Sequence, residues 1–131
     1  MTMPQLTRNQ SLVFDVLGRA EGPLSAYTIL DKLREHGFRA PLQVYRALDK
    51  LVELGLVHRL ESINSFVACA HPAENCGGHG TVAFAICNSC GNVIEFHDHA
   101  IDERLSEWAR GQTFKPEKTT IEIRGLCREC A

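Results

Sequence analysis

Two cysteine pairs, Cys87-Asn88-Ser89-Cys90 and Cys127-Arg128-Glu129-Cys130, hold four of the six cysteines in this 131-residue chain. Cysteines two residues apart can turn both sulfurs toward one ion, and a second such pair completes the thiolate tetrahedron that zinc accepts. The spacing therefore predicts a structural zinc site on Cys87, Cys90, Cys127 and Cys130. The competing chemistry is a redox dithiol, but that motif usually opens the helix of a βαβ unit, and no such unit is evident here. His58, His71, His79, His97, His99, Cys69 and Cys76 remain as further potential ligands.

The chain could form one domain of ordinary size or two small ones, and small domains need a staple to offset a thin core. Met1-Thr2-Met3-Pro4-Gln5-Leu6 shows no basic region followed by an apolar stretch, so no signal peptide is expected. No apolar run approaches the length needed to span a bilayer. A reducing, cytoplasmic setting is expected, where clustered cysteines are more often metal ligands than cystines. The net charge of −2 does not announce a nucleic-acid partner. Residues 1–70, however, hold eight Lys/Arg against seven Asp/Glu, while residues 71–131 hold six against nine. Only the first half is suited to approach phosphates, and only through local placement or dimerisation.

The elements that position these residues follow from periodicity and punctuation. Thr7 suits the N-cap of a first helix in which Leu12, Val13, Val16 and Leu17 recur at helical spacing. Ser25 follows Gly22-Pro23 and caps a second helix carrying Tyr27, Leu30 and Leu33, ending near Gly37. Pro41 opens a third, where Val44, Ala47, Leu48 and Leu51 share one face and Gln43, Arg46 and Lys50 the other, before Gly55. Strands at 56–60 and 65–69 follow, joined by Glu61-Ser62-Ile63-Asn64. Three helices and a hairpin make a winged helix-turn-helix over residues 1–70.

Residues 71–80, HPAENCGGHG, lack apolar periodicity and read as a hinge. Beyond them a small α/β domain over 81–131 is expected. Its strands fall at Val82–Ile86, Val93–Phe96 and Thr119–Arg124, and its helix is marked by Ile101, Leu105, Trp108 and Ala109. The fold class is α+β.

Hairpin geometry tests one ligand pair directly. If loop 61–64 closes a regular antiparallel hairpin, Leu60 faces Ser65, His58 faces Val67 and Leu56 faces Cys69. His58 and Cys69 are then diagonal neighbours on one face, roughly 7–8 Å apart at Cα, close enough for both side chains to reach one ion. The bland alternative is a histidine edging the wing and a cysteine acting as a small buried hydrophobe. His97-Asp98-His99 reads more simply as a polar approach to a helix capped by Asp98.

Leu6-Thr7-Arg8-Asn9-Gln10, Gln43-Val44-Tyr45-Arg46-Ala47-Leu48, Cys87-x-x-Cys90-Gly91 and Cys127-x-x-Cys130, in this order, resemble the ferric uptake regulator family. The resemblance implies a homodimeric bacterial repressor with an N-terminal winged helix and a C-terminal dimerisation domain, binding palindromic double-stranded operator DNA when charged with metal. Within the family the chain looks most like the zinc-sensing branch. Iron-sensing members carry a His/Asp-rich segment before the first CxxC, where this chain has Val82-Ala83-Phe84-Ala85-Ile86. The resemblance further implies a regulatory zinc site on His58, Cys69, His79 and Glu95, and carries DNA reading to Tyr45 and Arg46. A thiolate in that set favours zinc over ferrous or manganous ions. His71, Cys76, His97 and His99 stay as candidates for extra metal ligands.

On the third helix, Arg46 is expected to grip a purine edge, Gln43 and Lys50 to make flanking contacts, and Tyr45 to meet a thymine methyl or a phosphate. The expected function is a zinc-responsive repressor of zinc-homeostasis genes, in which sensor zinc fixes the angle between the domains. The alternative is a relative responding to iron, manganese, nickel or peroxide. A zinc hydrolase is disfavoured because no nucleophile-and-base arrangement is legible.

Overall fold

The computed structural model describes residues 5–70 and 81–131. The chain divides into two compact units, Met1–Gly77 and Gly78–Ala131. The first unit begins with α1, Arg8–Arg19, whose N-terminus is closed by a reciprocal cap. The Gln10 backbone N–H donates to Thr7 Oγ1 at 3.2 Å and the Thr7 N–H donates to Gln10 Oε1 at 3.0 Å. Helix α2, Ala26–Leu33, is capped by Ser25 and continues as a 3-10 turn to His36, where Gly37 takes a φ of 95° that favours glycine. Helix α3, Pro41–Glu53, begins with proline in its first turn.

Val13, Leu17, Ile29, Leu33, Val44 and Leu48 meet in one core between these helices. Tyr27 departs from the expected apolar stripe. It is 62% exposed, and Ala26 and Ile29 occupy the inner face of α2 beside Leu30 and Leu33. Strands β1, Val57–Leu60, and β2, Ser65–Ala68, pair antiparallel with His58 opposite Val67 and Leu60 opposite Ser65, the register expected from the loop length. The loop folds as a 3-10 turn over Glu61–Ile63 and closes on Asn64 at φ 48°. Leu24 adds a bridge to Phe66 that periodicity does not signal, with both backbone hydrogen bonds formed.

In the second unit a three-stranded sheet has the order β4-β3-β5. Strand β3, Thr81–Cys87, is central; β4, Val93–Phe96, pairs with it antiparallel and β5, Thr119–Gly125, parallel. The unbroken apolar run of β3 suits a strand flanked on both edges, and Val82, Ala83, Phe84 and Ile86 are all buried. Helix α4, His99–Gly111, supplies the crossover that a parallel pair requires. Asp98 caps it by accepting from the backbone N–H groups of Ala100 and Ile101, and Asp102 accepts from the Thr81 N–H at 2.6 Å. Of the four residues expected to mark its inner face, Ala109 is buried, whereas Trp108 is 60% exposed. No helix among the described residues is long and apolar enough to cross a membrane.

Candidate functional site

The four cysteines of the CxxC pairs converge because β3 and β5 end together. Cys87 is the last residue of β3, paired with Gly125 in the parallel ladder, and Cys127 lies just beyond β5. Cys90 follows on the turn into β4, which Gly91 completes at φ 78°. All four sulfurs lie within 4.8 Å of one another, with Cys90 and Cys127 3.7 Å apart. A Zn–S bond of about 2.3 Å places sulfurs of a regular tetrahedron about 3.8 Å apart, which the Cys90–Cys127 separation matches.

The backbone prepares one of these sulfurs for charge. The N–H groups of Cys90 and Cys127 both donate to Cys87 Sγ at 3.4 Å. These two contacts, Cys90 first, hold the Cys87 thiol down at about 6, while the neighbouring Cys127 side chain leads the influences that push Cys130 up to about 12. Crowded thiols resist carrying several negative charges at once, and a dication removes that conflict. Zinc here would be held by Cys87, Cys90, Cys127 and Cys130 as a closed structural ion with no open coordination position.

A second cluster of donors stands in the wing hairpin. His58 is 6% exposed, Cys69 is buried, and their ligand atoms lie within 4.8 Å. The Cys69 N–H donates to the Leu56 carbonyl at 2.8 Å, which continues the ladder and keeps both side chains on one face. Cys69 would ligate a metal as its thiolate. Glu95, on β4 of the second unit, has a side chain only 5% exposed and lies 3.5 Å from His97 Nε2. His99 pairs with Glu103, one turn later on α4, at 3.1 Å. His71, Cys76 and His79 lie outside the described residues.

Helix α3 presents a line of exposed residues at helical spacing, Leu42, Arg46, Asp49 and Glu53. Tyr45, beside Arg46, is half-buried against the core. Gln43 does not extend from this surface as the sequence suggests. Ala40 precedes the helix and has no side-chain oxygen, so Gln43 folds back, its Oε1 accepting from the N–H groups of Arg39 at 2.6 Å and Ala40 at 3.0 Å. The signal was a glutamine three residues after a cap position that cannot cap itself. Lys50 is exposed and pairs with Glu53 at 3.5 Å. Leu42, which the sequence reading passed over, is 57% exposed at the opening of the same line.

Known proteins resemble this chain in sequence and in fold. The zinc uptake regulation protein of Escherichia coli strain K12 is 37% identical over 130 residues, covering 96% of this chain and 72% of the relative. The crystal structure of holo XcZur is 38% identical with a TM-score of 0.85, covering 98% of this chain and 87% of that one. A zinc uptake regulator solved in complex with zinc and DNA is 36% identical with a TM-score of 0.88, covering 95% of this chain and 82% of that one. Residues 4–124 match the ferric uptake regulator family over most of the chain's length, and the chain belongs to that family.

Proposed function

We propose that this chain is a zinc-responsive, DNA-binding repressor of zinc-uptake genes that acts in the cytoplasm as a homodimer on palindromic double-stranded operators. The observation that carries the reading is the buried His58–Cys69 pair, an imidazole and a sulfur within 4.8 Å inside the winged-helix unit and separate from the four-cysteine staple. A metal bound there acts on the unit that carries α3. A thiolate donor selects a thiophilic ion such as zinc over ferrous or manganous ions. Similarity to a zinc uptake regulator complexed with zinc and DNA supports the same conclusion.

In this reading His58, Cys69, His79 and Glu95 hold the regulatory zinc, and Cys87, Cys90, Cys127 and Cys130 hold the structural one. His97 and His99 are engaged with carboxylates, which makes them weaker candidates for an extra site. Tyr45 and Arg46 read base edges from α3. The exposed apolar side chains of the second unit, Ile94, Leu105, Trp108, Phe114, Ile123 and Leu126, suit a surface that a second copy covers.

Regulatory metal should leave reduced protein on mild chelation while the staple zinc stays. Zinc, ferrous, manganous and nickel ions, each added back at buffered free concentration, are then compared for restoring binding to duplexes selected from a random pool. Restoration by zinc far below the concentrations the other ions need supports the reading. Preferential restoration by another ion assigns the site to that ion.

A further inference from the structure

The exposed line on α3 changes chemistry from end to end. Leu42 opens it, Arg46 follows one turn later, and Asp49 and Glu53 close it. Lys50, paired with Glu53 at 3.5 Å, offsets only one of these two carboxylates, so the C-terminal half of this helix stays net negative and is a poor entry into a DNA groove. Its first turn contains no acidic residue. The positive end of the helix dipole is therefore left for an anion outside the protein. Both features orient the helix N-terminus first, and in that orientation the leading side chain is an aliphatic one.

Resting on the reading of α3 as the DNA-reading helix, we infer that Leu42 is a specificity residue that packs on the C5-methyl of a thymine about two base-pair steps from the base read by Arg46. Four residues of helix advance about 6 Å, close to two base-pair steps of about 3.4 Å. The thymine methyl is the apolar group that the major groove offers to an aliphatic side chain. Gln43, whose side chain is drawn back onto the Arg39 and Ala40 N–H groups, ends in a polar amide that does not suit a methyl. Tyr45, half-buried against the core, has less of its side chain to offer than Leu42 at 57% exposure.

The test uses reduced, zinc-loaded, full-length protein and one duplex selected from a random pool. Each thymidine is replaced in turn by deoxyuridine, which removes the methyl and keeps every hydrogen-bonding group. At one position in each half-site the replacement should weaken wild-type binding about fourfold, the ~0.8 kcal/mol of one buried carbon converted at ~1.4 kcal/mol per tenfold. Leu42→Ala should bind the parent duplex more weakly by at least that factor and be indifferent to the same replacement. A deoxyuridine effect of equal size in wild type and Leu42→Ala would overturn the inference and pass the contact to Tyr45. So would the absence of any such effect in wild type. Failure of wild type to enrich any duplex, or unchanged binding by Arg46→Ala, would instead remove the underlying reading of α3.

Discussion

Replacing Cys127 by serine should cost the second unit about as much free energy as holds it together. A metal bridging Cys90 and Cys127 closes a loop 37 residues long. Treated as a covalent cross-link, that closure removes about 4 kcal/mol of chain entropy from the unfolded state. An average domain the size of residues 78–131 has only about 3–8 kcal/mol of stability in total. The sheet makes the loss worse than local, because β3 and β5 are parallel neighbours separated by β4 and α4, and the staple fastens the end at which both strands finish. The single tryptophan, Trp108, lies on α4 and reports this unit alone. Its fluorescence transition in urea should fall by about 2–4 M at the slope of about 1–2 kcal/mol/M usual for small proteins. Bound zinc per chain should drop in parallel, while the far-ultraviolet signal from α1 to α3 persists. A Cys127→Ser protein with the wild-type tryptophan midpoint and full zinc content would refute the cross-link argument and the four-cysteine assignment together.

Arg46→Ala should cost about 1–3 kcal/mol on a selected duplex and relax preference at one base position, with little loss on scrambled DNA. Competition binding separates that outcome from a simple phosphate contact, which would weaken both duplexes alike. Cys69→Ser and His58→Ala should retain the staple zinc yet require more free zinc for DNA binding. By linkage, operator DNA should tighten regulatory zinc by the same factor that zinc tightens DNA, a coupling of about 1–3 kcal/mol in typical cases, and zinc titrations with and without DNA measure both halves. In protein stripped of zinc, for as long as the Trp108 signal shows the second unit folded, one thiol should titrate near pH 6 by thiolate absorbance, and that step should be missing in Cys87→Ser. Because that pKa is lowered on folding, the stability it contributes is complete above about 9 and is lost as pH falls through about 6. Thr7→Ala should lower first-unit stability by about 1 kcal/mol in chemical denaturation, through loss of the α1 cap.

What was legible in the chain was local. Helices α1 to α3 announce themselves because Val13, Leu17, Val44 and Leu48 recur at helical spacing, and because Thr7 and Ser25 place an oxygen where the first N–H groups need one. The wing register was equally accessible, since a four-residue loop fixes which residues face each other. The parallel pairing of β3 with β5 was not, because no neighbouring residues encode a partner some forty positions away in the chain. Tyr27 shows a second limit: an aromatic residue in a helical pattern counts as core by type, while its position on α2 turns it outward. Gln43 shows a third. Its side chain satisfies a local backbone demand created by Ala40, and that demand outranks the exposed role its position suggests.

The two metal chemistries differ in a way that matches staple and sensor. In the cysteine cluster every proposed donor lies at or beside the ends of strands, and the Cys87 sulfur already accepts from two backbone N–H groups that the fold itself positions. Removing the ion there means disturbing the sheet, so release is coupled to unfolding and is correspondingly slow. The His58–Cys69 pair sits on a hairpin whose ladder runs from Val57 to Ala68 and whose Val57 and Phe66 pack into the helical core. Loss of an ion from that pair leaves the winged-helix core standing, which lets occupancy follow the free concentration of the metal. A regulator needs both properties at once, and separating them onto different donor sets removes the conflict. In the proposed reading one set, all sulfur, would make the fold depend on the ion, and the other, with one nitrogen and one sulfur in view, would let the ion change while the fold persists.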